Sequence, residues 1–135
     1  MLRFVRELIA LRKRHPSLRR RRFLTGRPSA GQEHPDVAWH GERLPEPAWH
    51  DVGARLLAFT LAGERPVETR LHVVFNMDDC ARAVALPGQE GLIWRRIVDT
   101  ALPAPHDIVP LAGRAIVESE QCRVQARSVV VLEEG

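Results

Sequence analysis

Six histidines, three tryptophans, four consecutive arginines and several adjacent acids are the residues of this chain with types suited to chemistry. His34, His40 and His50 lie near Asp36 and Asp51, residue types of a zinc or hydrolytic site. No pair of these histidines has the i, i+4 spacing that places ligands on one helix face, and no ligand motif joins them. His15 precedes Pro16 at a helix end, where it is expected to meet terminal carbonyls, while His72 alternates outward on a strand and His106 lies in a Pro-rich loop. Ser17, Ser29, Ser119 and Ser128 lack the glycines of a nucleophile elbow. Cleaving a glycosidic bond needs two acids held about 5–10 Å apart across a concave site. Asp78-Asp79, Glu118/Glu120 and Glu133-Glu134 read instead as a turn, a strand edge and a solubilising terminus. Cys80 and Cys122 sit in separate predicted strands without a CxxC pattern. We assign no catalytic, cofactor-binding or metal-ligating residue.

Binding is the remaining possibility. Indole faces stack on sugar rings and on bases, so Trp39, Trp49 and Trp94 are the candidates for carbohydrate contact. Aromatics make up only 5% of the chain, so Trp94 on a strand and Trp49 in a Pro-flanked turn are expected to anchor the core. Arg19–Arg22 are consecutive and are not expected to share one face; Phe23 is the only aromatic in reach of them. The cluster therefore reads as a solvated or interdomain basic surface rather than a nucleic-acid grip.

The elements that must position these residues begin with an amphipathic helix. Leu2, Val5, Leu8 and Ile9, with Phe4 and Leu11 on a neighbouring row, recur at helical spacing, and Pro16 stops the helix at about Arg14. Gly and Pro in residues 26–35 mark a loop, dividing a basic segment 1–27 from a β domain 28–135. Strands are expected over Asp36–Trp39, Ala54–Leu61, Arg70–Phe75, Cys80–Leu86, Leu92–Thr100, Arg114–Val117 and Val124–Leu132, the last buried on both faces. Asn76-Met77-Asp78-Asp79 reads as the turn of a hairpin, and Leu92–Thr100 places Trp94 and Val98 on one face. These elements predict a mainly β fold, an antiparallel sandwich preceded by one α-helix.

Charge divides along the same line. Residues 1–27 carry ten Arg or Lys and one Glu, a net +9, which leaves −6 on residues 28–135 out of the chain's +3. The basic segment thus suits either a nucleic-acid arm or a surface that faces an acidic neighbour. No apolar run reaches the length of a membrane span and residues 1–14 are too charged for a signal-peptide core, so a cytoplasmic chain with free thiols is expected.

Particular strings add to this reading. Phe4-Val5-Arg6-Glu7-Leu8-Ile9-Ala10-Leu11-Arg12, His15-Pro16, Leu18 and Arg21-Arg22-Phe23-Leu24-Thr25-Gly26 open the series. Asp36-Val37-Ala38-Trp39-His40-Gly41, Pro45-Glu46-Pro47-Ala48-Trp49-His50-Asp51 and Ala54-Arg55 follow. Val74-Phe75-Asn76, Leu86-Pro87, Val98-Asp99-Thr100-Ala101 and Ala126-Arg127-Ser128-Val129-Val130-Val131-Leu132 complete it. In this order the chain resembles the C-terminal region of isoamylase-type glycogen debranching enzymes of the alpha-amylase superfamily. The resemblance implies that the helix is the last of a catalytic barrel and that the sandwich packs on that barrel. Such enzymes hydrolyse α-1,6 branch linkages in glycogen or limit dextrins with carboxylates on earlier barrel strands, and no position here matches them. The resemblance thus implies an inactive, structural domain without cofactor or metal, whose partner is the barrel. A homodimer through the helix is the alternative partner; glycogen or maltooligosaccharide is expected to bind weakly at most, and nucleic acid and membranes not at all. A stand-alone carbohydrate-binding module using Trp39, Trp49 or Trp94, and a nucleic-acid-binding domain using Arg19–Arg22, are the rival functions.

Overall fold

A computed structural model describes residues 1–65, 67–88, 91–110 and 113–135. Helix α1 spans Leu2–Arg14, and His15 leaves it in an extended conformation because Pro16 follows. Pro16–Arg19 makes one 3-10 turn. Among the described residues eight strands follow: β1 Val37–His40, β2 Leu56–Leu61, β3 Leu71–Asn76, β4 Arg82–Ala85, β5 Trp94–Asp99, β6 Ala115–Val117, β7 Gln121–Val124 and β8 Ser128–Glu134. Six form an antiparallel sheet in the order β1-β2-β3-β8-β5-β6, and β4 pairs with β7 in a second sheet.

The expected mainly β architecture is present, with three differences in how the chain is routed. β3 and β4 are not a hairpin: β3 lies between β2 and β8, and the chain crosses to the second sheet after Asn76. The buried Asn76 amide fixes that corner, with Nδ2 donating toward the carbonyls of Cys80, Val124 and Gln125 while Oδ1 accepts from the Asp78 amide. Cys80 thus lies in the corner and is exposed, not in a strand. The C-terminal strand divides into β7 and β8 at Arg127, whose positive φ of 52° turns the backbone between sheets. In β5 a register shift between Arg96 and Val98 inserts an extra residue, which separates Trp94 from Val98.

Two apolar cores result. Between the sheets lie Ala58, Val74, Val84, Trp94, Cys122, Val124, Val130 and Leu132. On the opposite face of the larger sheet Leu11 of α1 packs with Leu71, Ile97, Val98 and Ile108, joined by Phe4, Leu18 and Val131. The larger sheet is therefore a middle layer, and β8 is buried on both sides as its unbroken apolar run predicts. Each fully buried Val or Leu contributes about 1.5–3 kcal/mol, and together they fix the strand order.

Candidate interaction surface

Helix α1 is amphipathic in an unusual sense: its apolar arc is wider than the contact it makes. Phe4 and Leu11, two turns apart, point into the sheet. Leu2, Val5, Leu8 and Ile9 remain 65%, 43%, 38% and 49% exposed on the adjoining side. Most isolated surface helices bury their apolar stripe and expose polar residues. This one exposes an apolar stripe after its inner side is already packed.

A polar seam locks the helix end to the sheet. His15 is buried, and its Nε2 lies 2.6 Å from Glu133 Oε1 while its Nδ1 stands 3.8 Å from Glu68 Oε1. Arg114 pairs with the other Glu133 oxygen, and Arg14 approaches the first at 4.0 Å. The Ser17 and Glu64 amides donate to Glu68 at 2.8 and 2.7 Å. Burial raises the Glu68 pKa, but these hydrogen bonds outweigh it and the carboxyl ends below its ordinary value. Burial and then Arg14 lower the His15 pKa against the opposing pull of Glu68, and burial lowers that of Arg114 to about 10. Glu133 is thus no terminal solubilising charge, and His15 is not merely facing helix carbonyls. Glu133 was missed because an acid near a chain end is usually solvated. The available signal was its place, next to Leu132 on a strand buried on both faces.

The tryptophans divide. Trp94 is the expected core anchor, with Nε1 donating to the Pro87 carbonyl at 2.8 Å. Trp49 is not: it is 57% exposed, and Trp39 is 40% exposed. The loop carrying Trp49 holds it edge-on to Trp39, with ring centroids 5.5 Å apart and planes at 70°. Trp39 leans on Phe59 at 5.3 Å, and Phe59 stacks with Phe75 at 6.1 Å. β1, β2 and β3 supply Trp39, Phe59 and Phe75 in turn, so an aromatic row crosses three strands. Trp39 and Phe59 are directly paired, as are Phe59 and Val73, which puts their side chains on one face. Leu71 of that same face lies under α1.

The arginines also differ from expectation. Because residues 20–24 are irregular rather than helical, Arg19–Arg22 all line one open hollow of about 860 Å³, with Phe23, Thr25 and Asp36 among its other walls. Arg20 donates to the Ala62 carbonyl at 2.6 Å, and Arg19, Arg21 and Arg22 are exposed. Asp36 accepts from the Thr25 and Gly26 amides at 2.8 and 2.7 Å, holding this segment against β1.

His34, His40 and His50 do not converge on a ligand. His40 ends β1 and is buried, with Nε2 3.0 Å from Thr60 Oγ1, which is itself 2.9 Å from His72 Nδ1. One hydroxyl proton serves only one imidazole, so the other must donate to Thr60. His72 does not alternate outward to solvent. It shares its face with Val74, and that face is the interior of the sandwich. Among the described residues no group of three or more His, Cys, Asp or Glu is placed to hold a metal ion, and no helix is long and apolar enough to cross a membrane.

Residues 38–134 match a family model described as "Isoamylase 1-3, C-terminal". The chain belongs to the isoamylase C-terminal domain family. The matched span starts within β1 and ends in β8, so it contains the sandwich strands except Val37. Isoamylase 3, chloroplastic, of Oryza sativa subsp. japonica is 36% identical over 109 residues, which is 80% of this chain and 12% of the relative. Isoamylase 1, chloroplastic, of the same plant is 35% identical over 71 residues, 53% of this chain and 8% of the relative. Isoamylase 2, chloroplastic, of Arabidopsis thaliana is 29% identical over 99 residues, 63% of this chain and 11% of the relative. The isoamylase domain described here thus spans about an eighth or less of the length of these curated relatives. Their names also overturn the cytoplasmic expectation: every one of these relatives is chloroplastic. Free cysteines do not distinguish one reducing compartment from another.

Proposed function

We propose that this isoamylase C-terminal domain is a non-catalytic structural domain of a debranching enzyme, packed on the catalytic barrel through the outer stripe of α1. In this reading the parent enzyme hydrolyses α-1,6-glucosidic branch linkages of glycogen or a limit dextrin, and the domain supplies no reacting group. The observation that supports it is the double-sided helix: Phe4 and Leu11 hold the sheet while Leu2, Val5, Leu8 and Ile9 face outward. A helix apolar over so wide an arc belongs between two layers. The seam of His15, Glu133 and Arg114 fixes its angle, so the stripe is presented in one orientation.

The test is an activity assay on the purified chain with a branched limit dextrin. Release of linear maltooligosaccharides would refute the reading. The expected result is no release, accompanied by binding to an isoamylase polypeptide that ends before its own C-terminal domain. Substituting Val5 and Ile9 with Gln should abolish that binding and leave the unfolding midpoint of the isolated chain within about 2 °C, because both side chains are solvent-facing in it.

A further inference from the structure

The helix stripe leaves two features of the same molecule without a role: the exposed indoles of Trp39 and Trp49, and the arginines around the hollow. Leu71, Val73 and Phe75 share one face of β3; Leu71 belongs to the core that α1 closes, Val73 is buried and Phe75 is half-buried. Four residues of strand span about 13 Å, so the aromatic row begins a short distance beyond the helix on the same face. The helix and the aromatic row thus lie on the same face of the larger sheet.

The row is built for a protein surface more than for a sugar. Trp49 meets Trp39 at 70°, and Trp39 tilts by 59° on Phe59, so the rings form a corner in place of the flat platform on which a pyranose stacks. From Phe59 the row continues to Phe75, which offers no donor or acceptor to sugar hydroxyls, with Val73 buried beneath. Aromatic side chains in an apolar setting are typical of the buried centre of an interface.

Charge specifies the chemistry of the other side. Arg6, Arg12, Lys13, Arg19, Arg21 and Arg22 are exposed and have no carboxylate within ion-pair distance among the described residues. A second copy placed across a two-fold axis on α1 would bring two such clusters together, which like-charge repulsion disfavours. We propose that one acid-rimmed surface, that of the isoamylase catalytic body, covers the helix stripe and the Trp49–Trp39–Phe59 row together and sets carboxylates against Arg19, Arg21 and Arg22. This rests on the reading of the preceding subsection and adds to it the extent of the contact and the charge of the partner.

The experiment measures binding of this chain to an isoamylase polypeptide ending before its C-terminal domain, by co-purification and by titration at low and high salt. Trp39→Ser with Trp49→Ser should weaken binding about tenfold or more, and Trp39→Phe should restore part of it. Arg19, Arg21 and Arg22 changed together to Gln should weaken binding at low salt and flatten its salt dependence. Thermal unfolding of each isolated variant reports whether its fold is intact, and Trp49→Ser alone serves if the double variant does not fold. Binding that is unchanged by the tryptophan variants but lost with Val5→Gln and Ile9→Gln would overturn this proposal and leave the helix reading intact. Failure of the unaltered chain to bind would overturn both. Three other outcomes also count against it: saturable quenching of the exposed indoles by maltoheptaose, a dimer by sedimentation in which the stripe and row are protected, and salt-sensitive binding of the arginines to heparin that outcompetes the isoamylase polypeptide.

Discussion

Acid should destabilise this domain through His72. The imidazole is fully buried between the sheets, hydrogen-bonded to Thr60, with Trp94 5.7 Å away, ring centroid to centroid. Burial, and then the nearby His40 ring 5.7 Å away, lower its pKa from 6.5 to about 3. The unfolded chain therefore binds one more proton than the folded chain across that window. The stabilisation is complete above about pH 6.5 and is lost as pH falls toward 3, at about 1.4 kcal/mol per pH unit. At about pH 4.5, two units into the window, His72 alone should have removed roughly 2.5 kcal/mol. His40 and His15 are also held below their ordinary values by burial and add losses of the same sign. A double difference isolates His72: urea unfolding of the unaltered chain and of His72→Asn, each at about pH 7 and about pH 4.5. Asn keeps a polar atom near the position of Nδ1 for Thr60 and does not titrate. The unaltered chain should lose roughly 2.5 kcal/mol more than the variant between the two pH values. Losses equal to within about 0.5 kcal/mol would show that His72 takes up no proton on unfolding in this range, and the buried assignment would be wrong.

Other substitutions probe other parts of the argument. Leu11→Ala removes the main contact of α1 with the second core and should cost about 2–4 kcal/mol, seen in urea unfolding, with faster hydrogen exchange in residues 2–14. Glu133→Gln leaves His15 and Arg114 without their shared carboxylate and should cost about 3–5 kcal/mol by the same assay; a change under about 1 kcal/mol would mean that the seam is solvated. Asn76→Ala strips the corner between the sheets of its hydrogen bonds and should cost about 2–4 kcal/mol, with a further loss of protection at the Asp78 amide. Arg127→Gly relieves a positive φ and gives up only an exposed pair with Asp79, so its thermal midpoint should be unchanged or slightly raised.

Local chemistry made the start of the chain legible. Pro16 restricts His15 and removes a donor, so the helix ends at Arg14 whatever surrounds it. Alternation and β-branched residues likewise mark β2, β3 and β8, and the ordered strings of residues 36–55 and 126–132 already pointed to the family. Strand pairing was less accessible. Asn76–Asp79 has the residues of a hairpin turn, but Nδ2 of Asn76 reaches carbonyls 48 and 49 residues later and turns the chain into the other sheet. The bulge at Arg96–Val98 likewise defeats strict alternation and sends Val98 to the helix side.

The division has a physical cause. Helix ends and strand identity depend on backbone dihedrals and side-chain periodicity within a few residues, which the sequence carries by itself. Burial of Glu133 and His72, exposure of Trp49 and convergence of four arginines on one hollow depend on which distant surfaces meet. Glu133 is buried because β8 lies between β3 and β5 with the end of α1 packed on it through His15, and Trp49 is exposed because its loop sets it edge-on to Trp39, outside both cores. The sequence by itself determined the kind of domain; only the tertiary structure decided which of its faces are left to bind.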